Sequence, residues 1–108
     1  MIYELRIYHC CPGRLPDLLD RFDKITLKIW DRYGIRQAGF WTTLIGSSNQ
    51  DLTYLLKWES LSDREKKWTA FSQDPEWIKK RAETEENGQI VSSIETAFLE
   101  PTEFSAVN

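Results

Sequence analysis

The residues best suited to acid–base chemistry lie together near the start of the chain, at positions 9 to 11. His9 is the only histidine, and histidine is the side chain whose ordinary pKa lies nearest neutrality. Cys10 and Cys11 follow it directly. Because side chains alternate along a strand, His9 and Cys11 would point to one face and Cys10 to the other. We therefore expect two free thiols, no metal site and no bound cofactor.

A second group of polar residues precedes them on the same predicted strand, where Glu4, Arg6 and Tyr8 share one face. Glu4 and Arg6 could form a structural ion pair at the rim of an interface. Alternatively, Arg6 could anchor a carboxylate in a small cavity. Arg6, Tyr8 and His9 are thus the candidate catalytic residues, although alternation separates His9 from the other two. No Ser-His-Asp order and no Cys-His pair with a third orienting group is visible in the sequence.

Aromatic side chains are the other candidates for a site, with five Trp, four Tyr and five Phe in 108 residues. Such rings either pack in the core or line a ligand pocket between a sheet and its helices. The residues that we expect to line such a pocket are Trp41, Tyr54, Trp58 and Trp68, with Trp77 as a further candidate. Arg64 precedes Trp68 on the same predicted helix, where a solvent-facing or carboxylate-paired role is the simpler interpretation.

The first half of the chain reads as a strand over residues 2–11, a helix over 15–33 and a strand over 35–46. The face of the first strand that we expect to contact the core carries Tyr3, Leu5 and Ile7. Apolar residues at three- and four-residue steps predict the amphipathic helix, and Gly34 is its expected left-handed stop. The strand pattern of residues 35–46 is strongest from Gly39 to Ile45.

The second half of the chain repeats this order. Turn-forming residues 46–51 predict a hairpin into a strand over residues 52–58. Ser62 and Glu65 have the spacing of a capping box and predict a helix start. A second helix start is predicted at Asp74 and Pro75, so the helix is in two pieces. Residues 89–99 alternate as a fourth strand.

The order strand, helix, strand, strand, helix, strand predicts an α+β, ferredoxin-like βαββαβ fold. Both helices would cover one face of a four-stranded antiparallel sheet. The other face would carry the side chains of Glu4, Arg6 and Tyr8, together with apolar residues from the other strands. An apolar sheet face of that size usually marks an interface. We therefore expect a homodimer that forms through this open face.

Length and charge limit the remaining possibilities. Residues 1–108 have the size of a single domain. A formal net charge of −3 without a basic stripe argues against nucleic acid as a partner. No apolar run approaches the roughly 20 residues that a membrane span needs, and no targeting segment precedes the first strand. The expected location is the cytoplasm.

Five short segments, in this order, resemble the NIPSNAP family of the dimeric α/β barrel superfamily. They are YELRIY followed by PG, GFW, YLLKWESLSDRE, DPEW and PTEFS. The turn before the third strand, GSSNQDLT here, departs from the family's usual Gly-x-Leu-Asn type. The resemblance implies a homodimer built by the sheet faces and implies no settled chemistry. The fold is similar to that of cofactor-independent monooxygenases, small lactone isomerases and haem-degrading monooxygenases.

Two hypotheses about function remain open. In the first, each protomer binds a small aromatic or hydrophobic ligand between sheet and helices. Its enzymatic alternative is a cofactor-independent monooxygenase or isomerase acting on a small aromatic or polyketide-like substrate. In the second, the chain is a dimeric module without enzymatic activity that binds a protein partner. The sequence favours a binding role, because it shows no nucleophile–base pair, no phosphate loop and no metal-ligand spacing.

Overall fold

The computed structural model describes residues 1–107, which form a four-stranded sheet and one layer of helices. The bounds are β1 (Ile2–Cys10), α1 (Leu15–Arg21), a π-helical turn (Phe22–Thr26), α2 (Leu27–Tyr33), β2 (Arg36–Thr42), β3 (Asp51–Trp58), α3 (Leu61–Ser72), α4 (Pro75–Thr84) and β4 (Val91–Leu99). All strand pairs are antiparallel, and the sheet order is β2-β3-β1-β4. This is the predicted ferredoxin-like α+β fold, with the helices on one face of the sheet.

The long helix is continuous but widens in its middle. The π-helical turn separates α1 from α2, and the hydroxyl of Thr26 donates to the carbonyl of Arg21. Such widened turns are often found at functional sites. Gly34 ends α2 with φ of 69°, the left-handed conformation that was predicted for it.

The aromatic side chains form most of the core between sheet and helices. Phe22 and Trp30 lie 5.6 Å apart between ring centroids, and the ring of Trp30 also packs against those of Tyr54, Trp68 and Phe71. Trp30, Tyr54 and Trp58 are fully buried. Large rings dominate because each removes more apolar surface from water than an aliphatic side chain does.

The face of β1 that contacts the helices is the opposite of the one expected. Tyr8 packs on Phe22 of the π-helical turn, and Glu4 accepts hydrogen bonds from Arg64 of α3. The side chains of Leu5 and Ile7 therefore lie on the open face of the sheet. The prediction was wrong because it equated charge with exposure, whereas charged groups that neutralise one another can be buried together.

Two predicted element bounds were also wrong. Strand β2 ends at Thr42, and the side chains of Leu44 and Ile45 are about 95% exposed in the loop that follows. Helix α3 is capped by Ser60, whose hydroxyl accepts from the backbone N–H of Asp63, and not by Ser62. The predicted restart at Asp74 and Pro75 is confirmed, because the Asp74 carboxylate accepts from the N–H of Trp77.

The helices of residues 1–107 are too short or too polar to cross a lipid bilayer.

Candidate functional site

An open cleft of about 750 Å³ lies between the helix-covered face of the sheet and helices α3 and α4. Strands β1 and β4 form its floor and one wall, and the π-helical turn forms its far end. Its aromatic lining residues are Tyr8, Phe22, Trp30, Trp68, Phe71 and Trp77. Small-molecule sites have about this volume, roughly 300–1,000 Å³, and combine apolar walls with polar groups. In this cleft polar and charged side chains form most of the rest of the lining.

Arg6 lies at the floor of the cleft and is held from every side. Its guanidinium donates from Nε to Tyr54 Oη at 2.8 Å, from Nη1 to Glu4 Oε2 at 2.9 Å and from Nη2 to Tyr8 Oη at 3.3 Å. The ring of Trp68 covers it, with 4.7 Å between the guanidinium carbon and the ring centroid. Arg6 is thus a buried, fully paired cation.

The two tyrosines beside Arg6 form a chain of hydrogen bonds that ends at the cleft. Tyr54 Oη accepts from Arg6 and donates to Tyr8 Oη at 3.0 Å. Tyr8 Oη accepts from both neighbours, so its own O–H remains able to donate, and Tyr8 lines the cleft. Burial and the neighbouring Tyr8 raise the pKa of Tyr54 well above its ordinary value.

The surroundings of Arg6 favour its charged form. Burial opposes the charged form, but the neighbouring Tyr54 and Tyr8 outweigh it and raise the pKa of Arg6. Glu4 supplies the countercharge and also accepts from Arg64 at 3.2 Å and from the indole N–H of Trp58 at 3.1 Å. Both carboxylate oxygens of Glu4 are therefore bonded, which makes its burial tolerable.

Two donors that belong to lining residues are left unpaired within residues 1–107. They are Nε of Arg21 and Nε1 of Trp30, and both atoms are buried. Arg21 is only 5% exposed, and its Nη1 donates to Thr84 Oγ1 at 3.3 Å and Glu85 Oε1 at 3.2 Å. A buried donor without a partner is costly, so each such group in a native structure calls for an explanation.

His9 lies on the opposite, open face of the sheet, away from Arg6 and Tyr8. Its Nδ1 is 2.8 Å from Asp51 Oδ1, and its Nε2 is 2.5 Å from Glu95 Oε2. The hydrogen bonds to Asp51 and then Glu95 raise the pKa of His9, which favours the doubly protonated imidazolium. With both ring nitrogens bonded, His9 is not positioned as a base for a ligand in the cleft.

The thiols and acidic groups offer no metal centre. In the part of the chain that the structure describes, no cluster of three or more His, Cys, Asp and Glu side chains is arranged to hold an ion. Cys10 and Cys11 are both free thiols, and burial raises the pKa of the Cys10 thiol. The reactivity of the Cys10 thiol is therefore low.

Only some of the aromatic residues expected in the pocket line the cleft. Trp68 and Trp77 line the cleft, whereas Tyr54 lies beneath its floor and Trp58 is buried against Glu4. Trp41 needs correction: it lies on the open face, about half exposed, with its ring packed against Gly39. An adjacent pair of strand residues cannot share one face, and Phe40, stacked on Tyr54, takes the inner position.

The sequence reading missed several lining residues, notably Arg21, Phe22, Trp30 and Arg81. Phe22 had been assigned to the apolar stripe of the helix without a ligand role. Arg21 and Arg81 carried no signal, because an arginine on a helix ordinarily faces solvent. Only the widened turn and the packing of α4 beside it bring them to the cleft.

Comparison with known proteins places this geometry in a family. The NIPSNAP sequence profile matches residues 3–106. No curated protein matches the chain. Among solved structures, a NIPSNAP family protein of unknown function from Agrobacterium tumefaciens is 22% identical with a TM-score of 0.87, and the match covers 100% of this chain and 94% of that one.

Two further structures are similar. A second NIPSNAP family protein from Agrobacterium tumefaciens is 24% identical with a TM-score of 0.85, over 99% of this chain and 98% of that one. An uncharacterized NIPSNAP-like domain protein from Burkholderia xenovorans is 25% identical with a TM-score of 0.84, over 96% and 87% of the two chains. Since the profile spans nearly all of the fold just described, the chain belongs to the NIPSNAP family.

Proposed function

We propose that this chain binds a small aromatic or hydrophobic ligand in the cleft between its sheet and helices α3 and α4. The observation that carries the proposal is the cleft itself, about 750 Å³ of open space inside the aromatic layer that would otherwise be a closed core. A globular domain of this size ordinarily packs such rings without a gap. The cleft also favours a small ligand over the alternative of a protein partner, because its lining is concave.

Binding of a neutral apolar fluorophore tests the proposal. We expect N-phenyl-1-naphthylamine to gain fluorescence with wild-type protein. Ser72 lines the cleft at the end of α3, whereas Ser62 lies exposed near the start of the same helix. Ser72→Phe fills the cleft and should weaken binding by about tenfold or more, and Ser62→Phe is the matched control. Equal binding by all three proteins would contradict a ligand site in this cleft.

A second candidate function is isomerisation without a cofactor, and the position of Tyr8 favours it. Its free O–H, at the end of the chain from Arg6 through Tyr54, can donate to a carbonyl oxygen in the cleft and stabilise the enolate that forms when a buffer base removes the α-proton. We expect faster solvent-deuterium exchange at the α-carbon of phenylacetone with wild-type protein than with Tyr8→Phe. No difference between the two proteins argues for binding alone. The same donor would serve the alternative, cofactor-independent oxygenation.

We also propose that the open sheet face is covered by a second copy of the chain. It presents the partly exposed side chains of Leu5, Ile7 and Leu55, and Trp41 and Leu99 are about half exposed. A continuous apolar sheet face of this kind is unfavourable in water. A symmetric pair would cover the same patch on both molecules.

The free thiols of Cys10 and Cys11 support a reducing compartment, and we propose the cytoplasm as the location.

A further inference from the structure

The charges around the cleft differ in sign from those of the whole chain. Three arginines line it, Arg6, Arg21 and Arg81, against one acidic residue, Glu85. The chain as a whole carries a net charge of −3. Glu4 neutralises Arg6 beneath the floor and Glu85 pairs with Arg21, so Arg81 is the positive charge left over among these residues. A local positive charge in an acidic protein is the electrostatic complement of an anion, and a partly desolvated cleft strengthens its effect.

The three arginines differ in how far they are already bonded. Arg6 donates to Glu4, Tyr54 and Tyr8, one bond from each of its three nitrogens, and lies beneath Trp68. Because Glu4 already neutralises its charge, Arg6 is the least available of the three to anchor a carboxylate.

Arg21 and Arg81 remain available. Arg21 keeps Nε unpaired and buried, as noted above, while its Nη1 is held by Thr84 and Glu85 of the last turn of α4 and the residue after it. Arg81 is exposed and forms no ion pair within residues 1–107. It lies four residues before Glu85, one helical turn away, and so on the same side of α4 as the partner of Arg21.

The wall next to Arg21 fixes the shape of the ligand. The guanidinium carbon of Arg21 lies 5.6 Å from the ring centroid of Trp77, and Trp77 and Phe71 lie 4.9 Å apart between centroids. Flat apolar surface and a guanidinium with an unpaired N–H donor are therefore side by side in the same cleft. A ligand that satisfies both has a flat ring and an oxygen anion at one end.

We propose that the cleft selects aromatic carboxylates, with the carboxylate bound by Arg21 and Arg81 and the ring packed against Trp77 and Phe71. This inference depends on the proposed function, since it names the class of ligand for the same cleft. It differs from that function in what it requires: charge recognition, and not burial of apolar surface alone.

A pair of isosteric probes separates the two claims. We expect 1-naphthaleneacetic acid to bind about tenfold more tightly than the neutral 1-naphthaleneacetamide by isothermal titration calorimetry, because hydrogen bonds to a charged group are about twice as strong as neutral ones. Equal affinities for the acid and the amide would overturn the charge inference and leave the ligand site intact. Binding of neither probe would overturn both claims.

Substitution of the exposed arginine assigns the charge contact. Arg81→Gln should reduce the affinity for the acid about threefold or more and leave that for the amide unchanged. Arg36→Gln, at an exposed position of β2 outside the cleft, is the matched control. Arg21→Lys should also lower the affinity for the acid and leave that for the amide unchanged. Circular dichroism shows whether this variant folds. If Arg81→Gln and folded Arg21→Lys both retain the preference for the acid, the assignment to these residues is wrong.

Discussion

The most informative single residue is Glu4, because its carboxylate holds together groups that would otherwise be buried cations. It bonds Arg6, Arg64 and the indole of Trp58 and is only 1% exposed. A sequence reader sees a charge in a strand and assigns it to solvent. Glu4 is buried instead because it is paired with Arg6, two residues away, and with Arg64, sixty residues away. Only the tertiary structure reveals the contact with Arg64.

Loss of the Glu4 charge should therefore destabilise the fold. Glu4→Gln leaves Arg6 and Arg64 without a buried countercharge, and removal of one partner from such a group typically costs about 3–5 kcal/mol. We expect a corresponding fall in the free energy of unfolding, measured by urea denaturation. Glu86→Gln, at an exposed position after α4, is the control and should change stability by less than about 0.5 kcal/mol. A small effect at both positions would show that Glu4 is not essential to the buried cluster.

At the scale of elements, the order and type of every strand and helix were predictable, but two boundaries were not. Apolar Leu44 and Ile45 favoured a longer second strand. In the structure Thr42 pairs with Leu52, and only Asp51 of β3 lies beyond that pair, so β3 offers almost no further partner for residues 43–45. Hydrophobic pattern predicts burial, whereas strand ends depend on the length of the partner strand.

The start of α3 shows a second limit of local signals. Ser60 with Asp63 and Ser62 with Glu65 have the same spacing, and the sequence does not rank them. The structure selects the earlier pair, because Asp63 also accepts from the backbone N–H of Glu59 at 3.2 Å. The Ser60 hydroxyl then satisfies a donor of the first turn, and the Asp63 carboxylate bonds the N–H of the residue before the cap, in a variant of the capping box.

The two serines thus provide a direct test of the helix start. Ser60→Ala removes the cap and should lower the free energy of unfolding by about 1 kcal/mol. Ser62→Ala, inside the first turn, should be neutral or slightly stabilising because alanine has the higher helix propensity. Thermal or urea unfolding of the two variants gives the comparison. A larger loss for Ser62→Ala would place the cap where the sequence pattern alone suggested.

At the scale of the whole molecule, the prediction concerns the open sheet face. Ile7 lies at its centre on β1, between β3 and β4. We expect the wild-type protein to sediment as a dimer at micromolar concentration and Ile7→Lys as a folded monomer, because a buried unpaired charge at a symmetric interface occurs twice. Ile78→Lys, at a half-exposed position on α4, should remain a dimer. A wild-type monomer under these conditions would remove the basis for pairing through this face.

The sequence correctly predicted that the helices cover only one face of the sheet, although it assigned the wrong residues of β1 to the open face. The candidate site was less predictable still. Trp68 was expected there, but Arg21, Phe22 and Trp30 also line the cleft. These three residues lie in the π-helical turn or in the helices next to it, and the turn directs their side chains toward the cleft. A widened turn adds rotation that no regular helical period contains. Residues that depend on it cannot be assigned to a face from spacing.

Strand β1 contributes to both surfaces, because Arg6 faces the cleft floor and its neighbour Ile7 faces the open side. The two residues lie about 3.3 Å apart along one backbone. If the chain binds a ligand in the cleft and pairs through its open face, as we propose, the two equilibria share a strand. If a ligand increases the affinity of one chain for the other by some factor, the associated pair must bind that ligand more tightly by the same factor. Ligand affinity measured in dilute protein would then understate affinity at the concentrations where the chains are paired.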